Sequence, residues 1–142
     1  MKHEALTYKI IGCAHNVYNQ LGFGFLESVY KNAMIIELDK NDLKVEAEKP
    51  LKVYYDEQVV GDYFVDLYVE DAVVVELKAV EHLSKQHEVQ VVNYLSGFKK
   101  DLGLLINFGP SGVEVKRKFR TMKTFAECDW NLPVSSGNRQ SQ

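Results

Sequence analysis

Asp66, Glu76 and Lys78 are ionisable side chains set inside two otherwise apolar runs, residues 63–69 and 72–79. Burying an unpaired charge is costly, so a charge in such a run is paired, binds a metal or faces water. Two carboxylates and an ammonium brought to one point could hold a hard divalent cation and act on a phosphodiester. Whether they converge depends on how the two runs pair. Both are rich in β-branched and aromatic residues and flank a short acidic connection, which is the pattern of a β-hairpin.

The length of that connection decides the geometry. If it is Glu70-Asp71-Ala72, Val69 lies opposite Val73 and Asp66 opposite Glu76, with Lys78 on the face of Glu76. If it is Glu70-Asp71 alone, Asp66 meets Val75 and Glu76 turns to the other side. A blander arrangement leaves Asp66 in solvent and Glu76 with Lys78 as a surface ion pair of little worth. The pattern alone leaves these open.

The elements that must position these residues read as follows. Leu6, Ile10, Cys13, Ala14, Val17 and Leu21 recur at helical spacing and predict a helix over residues 4–20, broken by Gly22-Phe23-Gly24. A second helix is expected over residues 25–40, with Leu26, Val29, Tyr30, Ala33, Met34, Ile36 and Leu38 turned inward. Glu27 sits at the edge of that stripe. It is either a first-turn glutamate favoured by the helix dipole or a carboxylate leaning towards the hairpin. His3 and His15 have no partner at ligand spacing. Residues 43–48 and 51–55 alternate like strands, with Pro50 between them as a turn or edge position. Residues 58–62 lead into the hairpin, giving a largely antiparallel meander of three or four strands. Asp62 is a further acid, expected in a turn after Gly61.

Ser84 is placed to cap a third helix over residues 85–98, with Val91, Val92, Leu95 and Phe98 as its apolar stripe. His87, Gln90 and Tyr94 share an adjoining face, suited to a polar ligand or phosphate or else a solvated flank. Residues 102–108 form a nearly continuous apolar run, expected as a buried parallel strand of a mixed sheet. After Gly109-Pro110-Ser111-Gly112, the basic strand 113–120 either holds phosphates or discourages edge-to-edge aggregation.

With 142 residues, 46% hydrophobic and 26% charged, the chain can bury one core. A single domain is expected over residues 1–130, followed by a polar, disordered tail over 131–142. No apolar run approaches the roughly 18 residues that span a bilayer, and no signal-peptide pattern opens the chain. Cys13 and Cys128 lack metal-type spacing, which points to a reducing, cytoplasmic setting. A formal net charge of −3 argues against indiscriminate coating of nucleic acid but is compatible with an acidic site.

Helix, antiparallel strands, D-x9-E-x-K, helix and strand, in that order, resemble the αβββαβ core of the PD-(D/E)XK nuclease superfamily. Gly24-Phe25-Leu26-Glu27-Ser28-Val29-Tyr30 is similar to the signature of the GxxExxY family within it. His87-Glu88-Val89-Gln90, Asn93-Tyr94-Leu95 and 103–109 are similar to later parts of that family. Gln90-x-x-x-Tyr94 is similar to the Q-x-x-x-Y motif of RecB-like and CRISPR-associated exonucleases. The resemblance covers about residues 5–120, and Val65 stands where the name-giving proline would be.

The resemblance implies an α/β, restriction-endonuclease-like fold with a mixed central sheet flanked by helices. It implies a Mg²⁺- or Mn²⁺-dependent nuclease hydrolysing phosphodiester bonds in DNA. Asp66, Glu76 and the Leu77 carbonyl would bind the metal, with Glu27 adding a carboxylate directly or through water. Lys78 would act on the attacking water or stabilise charge growing on phosphorus, and the neighbouring carboxylates favour the second role. Gln90 and Tyr94 would steady a metal-bound water or the substrate phosphate. The partner expected is DNA, with a homodimer or a protein partner also open, and no membrane. The alternative is a non-catalytic domain that keeps this fold to bind protein or nucleic acid in a regulatory role, because fold and motif do not by themselves establish turnover.

Overall fold

The computed structural model describes residues 3–120. Cys128 and the tail at 131–142, expected to be disordered, lie outside them. The elements are α1 (Glu4–Leu21), α2 (Glu27–Lys40), β1 (Val45–Tyr55), β2 (Gln58–Val69), β3 (Val73–Lys78), α3 (Lys85–Phe98), β4 (Leu102–Gly109) and β5 (Gly112–Phe119). The strands form one sheet in the order β1-β2-β3-β4-β5. Every neighbouring pair is antiparallel except β3 and β4, which run parallel. A parallel pair needs a long crossover, and α3 supplies it.

Hydrophobic alternation explains the layers. Leu67, Val69, Val73, Val75, Leu77, Leu104, Ile106 and Phe108 pack with α1 and α2 on one face. Leu51, Val65, Tyr68 and Val74 pack under Tyr94 and Leu95 of α3 on the other. β4 lies between both layers and is buried at all eight residues, the environment its nearly continuous apolar run demands. The result is an α/β, restriction-endonuclease-like architecture: α2-β1-β2-β3-α3-β4 is the αβββαβ core, extended by α1 and β5.

Four local expectations change. β1 runs unbroken through Pro50, tolerated because β1 is an edge strand where a missing donor need not break the ladder. Asp62 lies within β2, not in a turn, with Lys52 Nζ 3.2 Å from its carboxylate. Leu26 precedes α2 as its N-cap in extended conformation, so its side chain is 77% exposed. Ile36 also faces outward, while Tyr30, Met34, Leu38 and even Glu37 turn in.

β1 and β2 are long, but β3 pairs with β2 only from Leu67 to Val69. The outer part of the β1–β2 hairpin therefore extends as a two-stranded ribbon. It closes onto α3 where Gly97 meets Leu51; a Cβ at Gly97 would sit 2.9 Å from the Leu51 side chain.

Tyr30 ties the α1–α2 connection to the core. Its ring stacks on Phe108 at 4.4 Å with planes 7° apart. Its hydroxyl donates to the Gly22 carbonyl at 2.5 Å and accepts from the Phe25 amide at 3.4 Å. Gly22 and Gly24 hold φ of 70° and 120°, values that side chains disfavour. Tyr30→Phe is expected to cost about 1–2 kcal/mol through the lost hydroxyl, and Tyr30→Ala about 3–5 kcal/mol through the cavity. Urea unfolding reads both, and a Tyr30→Phe variant as stable as wild type would show that the hydroxyl does not hold this connection.

Candidate active site

Val69 pairs with Val73 and Leu67 with Val75, so the next step sets Asp66 against Glu76. This is the three-residue connection, with Glu70 and Asp71 both left-handed at φ 55° and 52°. At that step the backbone ladder gives way to side chains. The Asp66 amide donates to Glu76 Oε1 at 2.9 Å, and the Leu77 amide donates to Asp66 Oδ2 at 2.8 Å. Each carboxylate thus receives an amide from the other strand, and the two acids are held together where β2 and β3 part. Strand alternation slips at the same place: Val65 and Tyr68 both face α3, while Leu67 and Val69 face α1 and α2. On the other side of Asp66, register places Glu48, which makes no ladder pair and has φ 52°.

Helices and strand ends complete the cluster. Glu27, the first residue of α2, has Oε2 4.0 Å from Lys78 Nζ. One turn on, Lys31 reaches Glu48 Oε2 at 2.5 Å and also feels the charges of Asp66 and Glu27. Tyr94 borders the carboxylates from α3 and feels both Glu76 and Asp66. Gln90, one turn earlier, lines the groove between α3 and the ribbon. His87, expected beside them, closes the start of α3, its Nδ1 accepting from the Ser84 amide at 3.0 Å, and also feels the charge of Lys78.

Three residues here escaped the sequence pattern as site members. Lys31 could have been found by its spacing of four from Glu27. Glu48 gave no signal, because its place depends on a left-handed backbone in the middle of a strand. Asn107 is the polar member of the apolar β4 run. Buried at 1% exposure, its amide both accepts from the Val80 N–H and donates to the Val80 carbonyl, each at 2.9 Å. That double bond of side chain to backbone fixes the segment just after Lys78.

Burial dominates the electrostatics. Glu76 is 5% exposed; burial first, and the Asp66 charge second, push its carboxyl up to about 8, despite the Asp66 amide and Lys78. Asp66 is also raised, chiefly by burial, against the opposing pull of the Leu77 amide and of Lys31 and Lys78. Glu27 moves the same way for the same first reason. Burial and the two acids push the Tyr94 phenol up to about 12.

Among the described residues no three His, Cys, Asp or Glu side chains form a ready-made metal cage. The pair nevertheless suits a hard cation. Asp66 Oδ1 and Glu76 Oε2 make no hydrogen bond within the described residues, whereas their sister oxygens do. In an extended strand the N–H and C=O of one residue project to the same side. The Leu77 amide points to Asp66, so the Leu77 carbonyl opens towards the same gap. Two carboxylate oxygens and a carbonyl are a hard donor set, with waters completing the shell.

Stability should therefore fall with rising pH when no divalent ion is present. Glu76 titrates near 8 when folded and near its ordinary 4.5 when unfolded. Between those values the folded state binds more protons, so raising pH destabilises it. Glu76→Gln should flatten that fall and gain about 1–3 kcal/mol at pH 8. Urea midpoints from pH 5 to 8.5 in EDTA test this, and a level wild-type profile would contradict the buried carboxyl pair.

Comparison with known proteins adds the following. No curated protein matches the chain. The solved structure titled "Crystal structure of SSO0001" superposes with a TM-score of 0.55 over 86% of this chain, at 16% identity. The chain spans 62% of that protein's length, and the likeness is one of fold. The family model described as the PD-(D/E)XK nuclease superfamily matches residues 4–119. An acidic pair followed by lysine at the splayed strands, in an αβββαβ frame matched along nearly its whole described length, gives the assignment: the chain belongs to the PD-(D/E)XK nuclease superfamily.

Proposed function

We propose that the chain is a divalent-metal-dependent nuclease acting on DNA, of the GxxExxY type within its superfamily. The observation that carries this is the reciprocal amide bonding of Asp66 and Glu76, which leaves one oxygen of each acid without a partner among the described residues. Carboxylates raised by burial, Glu76 also by the charge of Asp66 and Asp66 by that of Glu48, are poised to release a proton when a cation arrives. Mg²⁺ or Mn²⁺, held by Asp66, Glu76 and the Leu77 carbonyl, would polarise the phosphodiester and lower the pKa of a bound water.

The remaining roles belong to the chain itself. Lys78, beside Glu76 and Glu27, directs an ammonium to the place where negative charge grows on the phosphoryl oxygens. Glu27 holds that ammonium in position and adds a carboxylate on the α2 side, directly or through water. Lys31, tethered by Glu48, partly offsets the charge of Asp66. Tyr94 offers a neutral phenol to a substrate phosphate, and Gln90 extends that polar edge. Asn107 keeps the segment after Lys78 from moving.

Titration with Mn²⁺ followed by thermal unfolding is the first test. At 100-fold excess over Kd the wild type should gain about 2.7 kcal/mol, and Glu76→Ala should gain nothing. Supercoiled and single-stranded DNA incubated with Mn²⁺ test turnover. Lys78→Ala should retain metal stabilisation and lose about 10²–10³-fold in rate. A clean preparation that cuts neither DNA, with Lys78→Ala indistinguishable from wild type, would leave a non-catalytic binding domain on this fold.

A further inference from the structure

The groove between α3 and the β1–β2 ribbon has a volume of about 700 Å³, within the range that holds a ligand of nucleotide size. It runs from the edge of the carboxylate cluster, where Tyr94 stands, outward along the ribbon. Its walls are aromatic and aliphatic: Leu51, Val53 and Tyr63 from the ribbon, Val89 and Tyr94 from the helix. Tyr63 is 44% exposed and Val53 39%. The Tyr63 and Tyr94 rings lie 5.9 Å apart at 55°. Tyr63 also lies over Gly61, where a Cβ would sit 2.8 Å from its ring, so the missing side chain leaves the ring room to lie along the strand.

The polar lining narrows the occupant. Gln86, Gln90 and Asn93 present amide groups, each a donor and an acceptor. Among the described residues Lys85 is the one charged lining residue and none of the lining side chains is a carboxylate, although the chain carries 20 acids. A polyanion with flat π-faces and hydrogen-bonding edges matches these walls. A duplex keeps its bases stacked and paired behind two backbones, so it offers nothing to an aromatic groove. An unpaired strand offers both the faces and the edges.

We propose that this groove is a nucleobase subsite, in which Tyr63 stacks an unpaired base beside the scissile phosphate, so that the substrate is single-stranded or frayed nucleic acid. The proposal rests on the nuclease reading above and names the substrate class of that site. Stacking on an aromatic tolerates any base, since each has a π-face, so the subsite selects unpaired structure and not sequence.

Fluorescence anisotropy tests it, using a labelled 15-nucleotide single strand and a blunt duplex of the same sequence, in Ca²⁺ at fixed salt. Wild type should bind the single strand at least fivefold more tightly than the duplex. Tyr63→Ala should weaken single-strand binding about tenfold and leave duplex binding alone, Tyr63→Trp should restore it, and Val53→Glu should weaken it by charge. Equal binding of both DNAs by wild type, or no change in either partially exposed variant, overturns the subsite and leaves the groove to a protein segment. The two readings separate cleanly. Mn²⁺-dependent cutting with no Tyr63 effect sinks the subsite alone, whereas Tyr63-dependent single-strand binding without cutting sinks the nuclease alone.

Discussion

A buried carboxylate set against a half-buried one is the constraint around which this molecule is arranged. Coulomb repulsion and lost hydration both oppose placing Asp66 beside Glu76. The fold meets that cost by ending a ladder early and giving the freed amides of Asp66 and Leu77 to the acids. Lysines then approach from two directions, Lys78 along the strand and Lys31 from α2. The parting of β2 from β3 is thus both cause and consequence of the site: it supplies the donors and opens the gap.

The surroundings follow from holding that gap in place. Tyr30 fixes the connection that delivers Glu27, Asn107 fixes the segment that leaves Lys78, and His87 with Ser84 fixes the start of α3. In each case a side chain substitutes for a backbone partner where no regular element continues. Among the described residues no helix is long and apolar enough to cross a membrane, and the helices instead spend their apolar faces on the sheet.

Much of this was legible in the sequence where periodicity carried the information. Side chains alternate with period two, so a three-residue connection was enough to bring Asp66 opposite Glu76. The nearly continuous apolar run of β4 announced a strand covered on both faces, and Ser84 announced the start of α3. Legibility failed where tertiary context overrode the local pattern. Ile36 and Leu26 read as core but face outward, because α2 starts at Glu27 and presents Tyr30, Met34, Glu37 and Leu38 to its neighbours. Pro50 read as a turn or an edge position, and the second holds, within one continuous edge strand where two short ones were expected. Glu48 joined the cluster through a left-handed residue that leaves no mark on composition or spacing, whereas Lys31 stands one helix turn from Glu27, a spacing that could have pointed to it.

The hairpin of β1 and β2 is rooted in the sheet at one end only. Its root contains Asp66 and the left-handed Glu48; its middle rests on α3 where Leu51 meets Gly97, and the tip at 55–58 reaches beyond. Mechanically it is a cantilever whose fulcrum coincides with the acidic cluster. Bending displaces the tip most and the fulcrum least. A change along the arm therefore bears on the cleft wall against α3, while the acids at the base are held by β3, so the shape of the cleft and the spacing of the acids are set by different contacts.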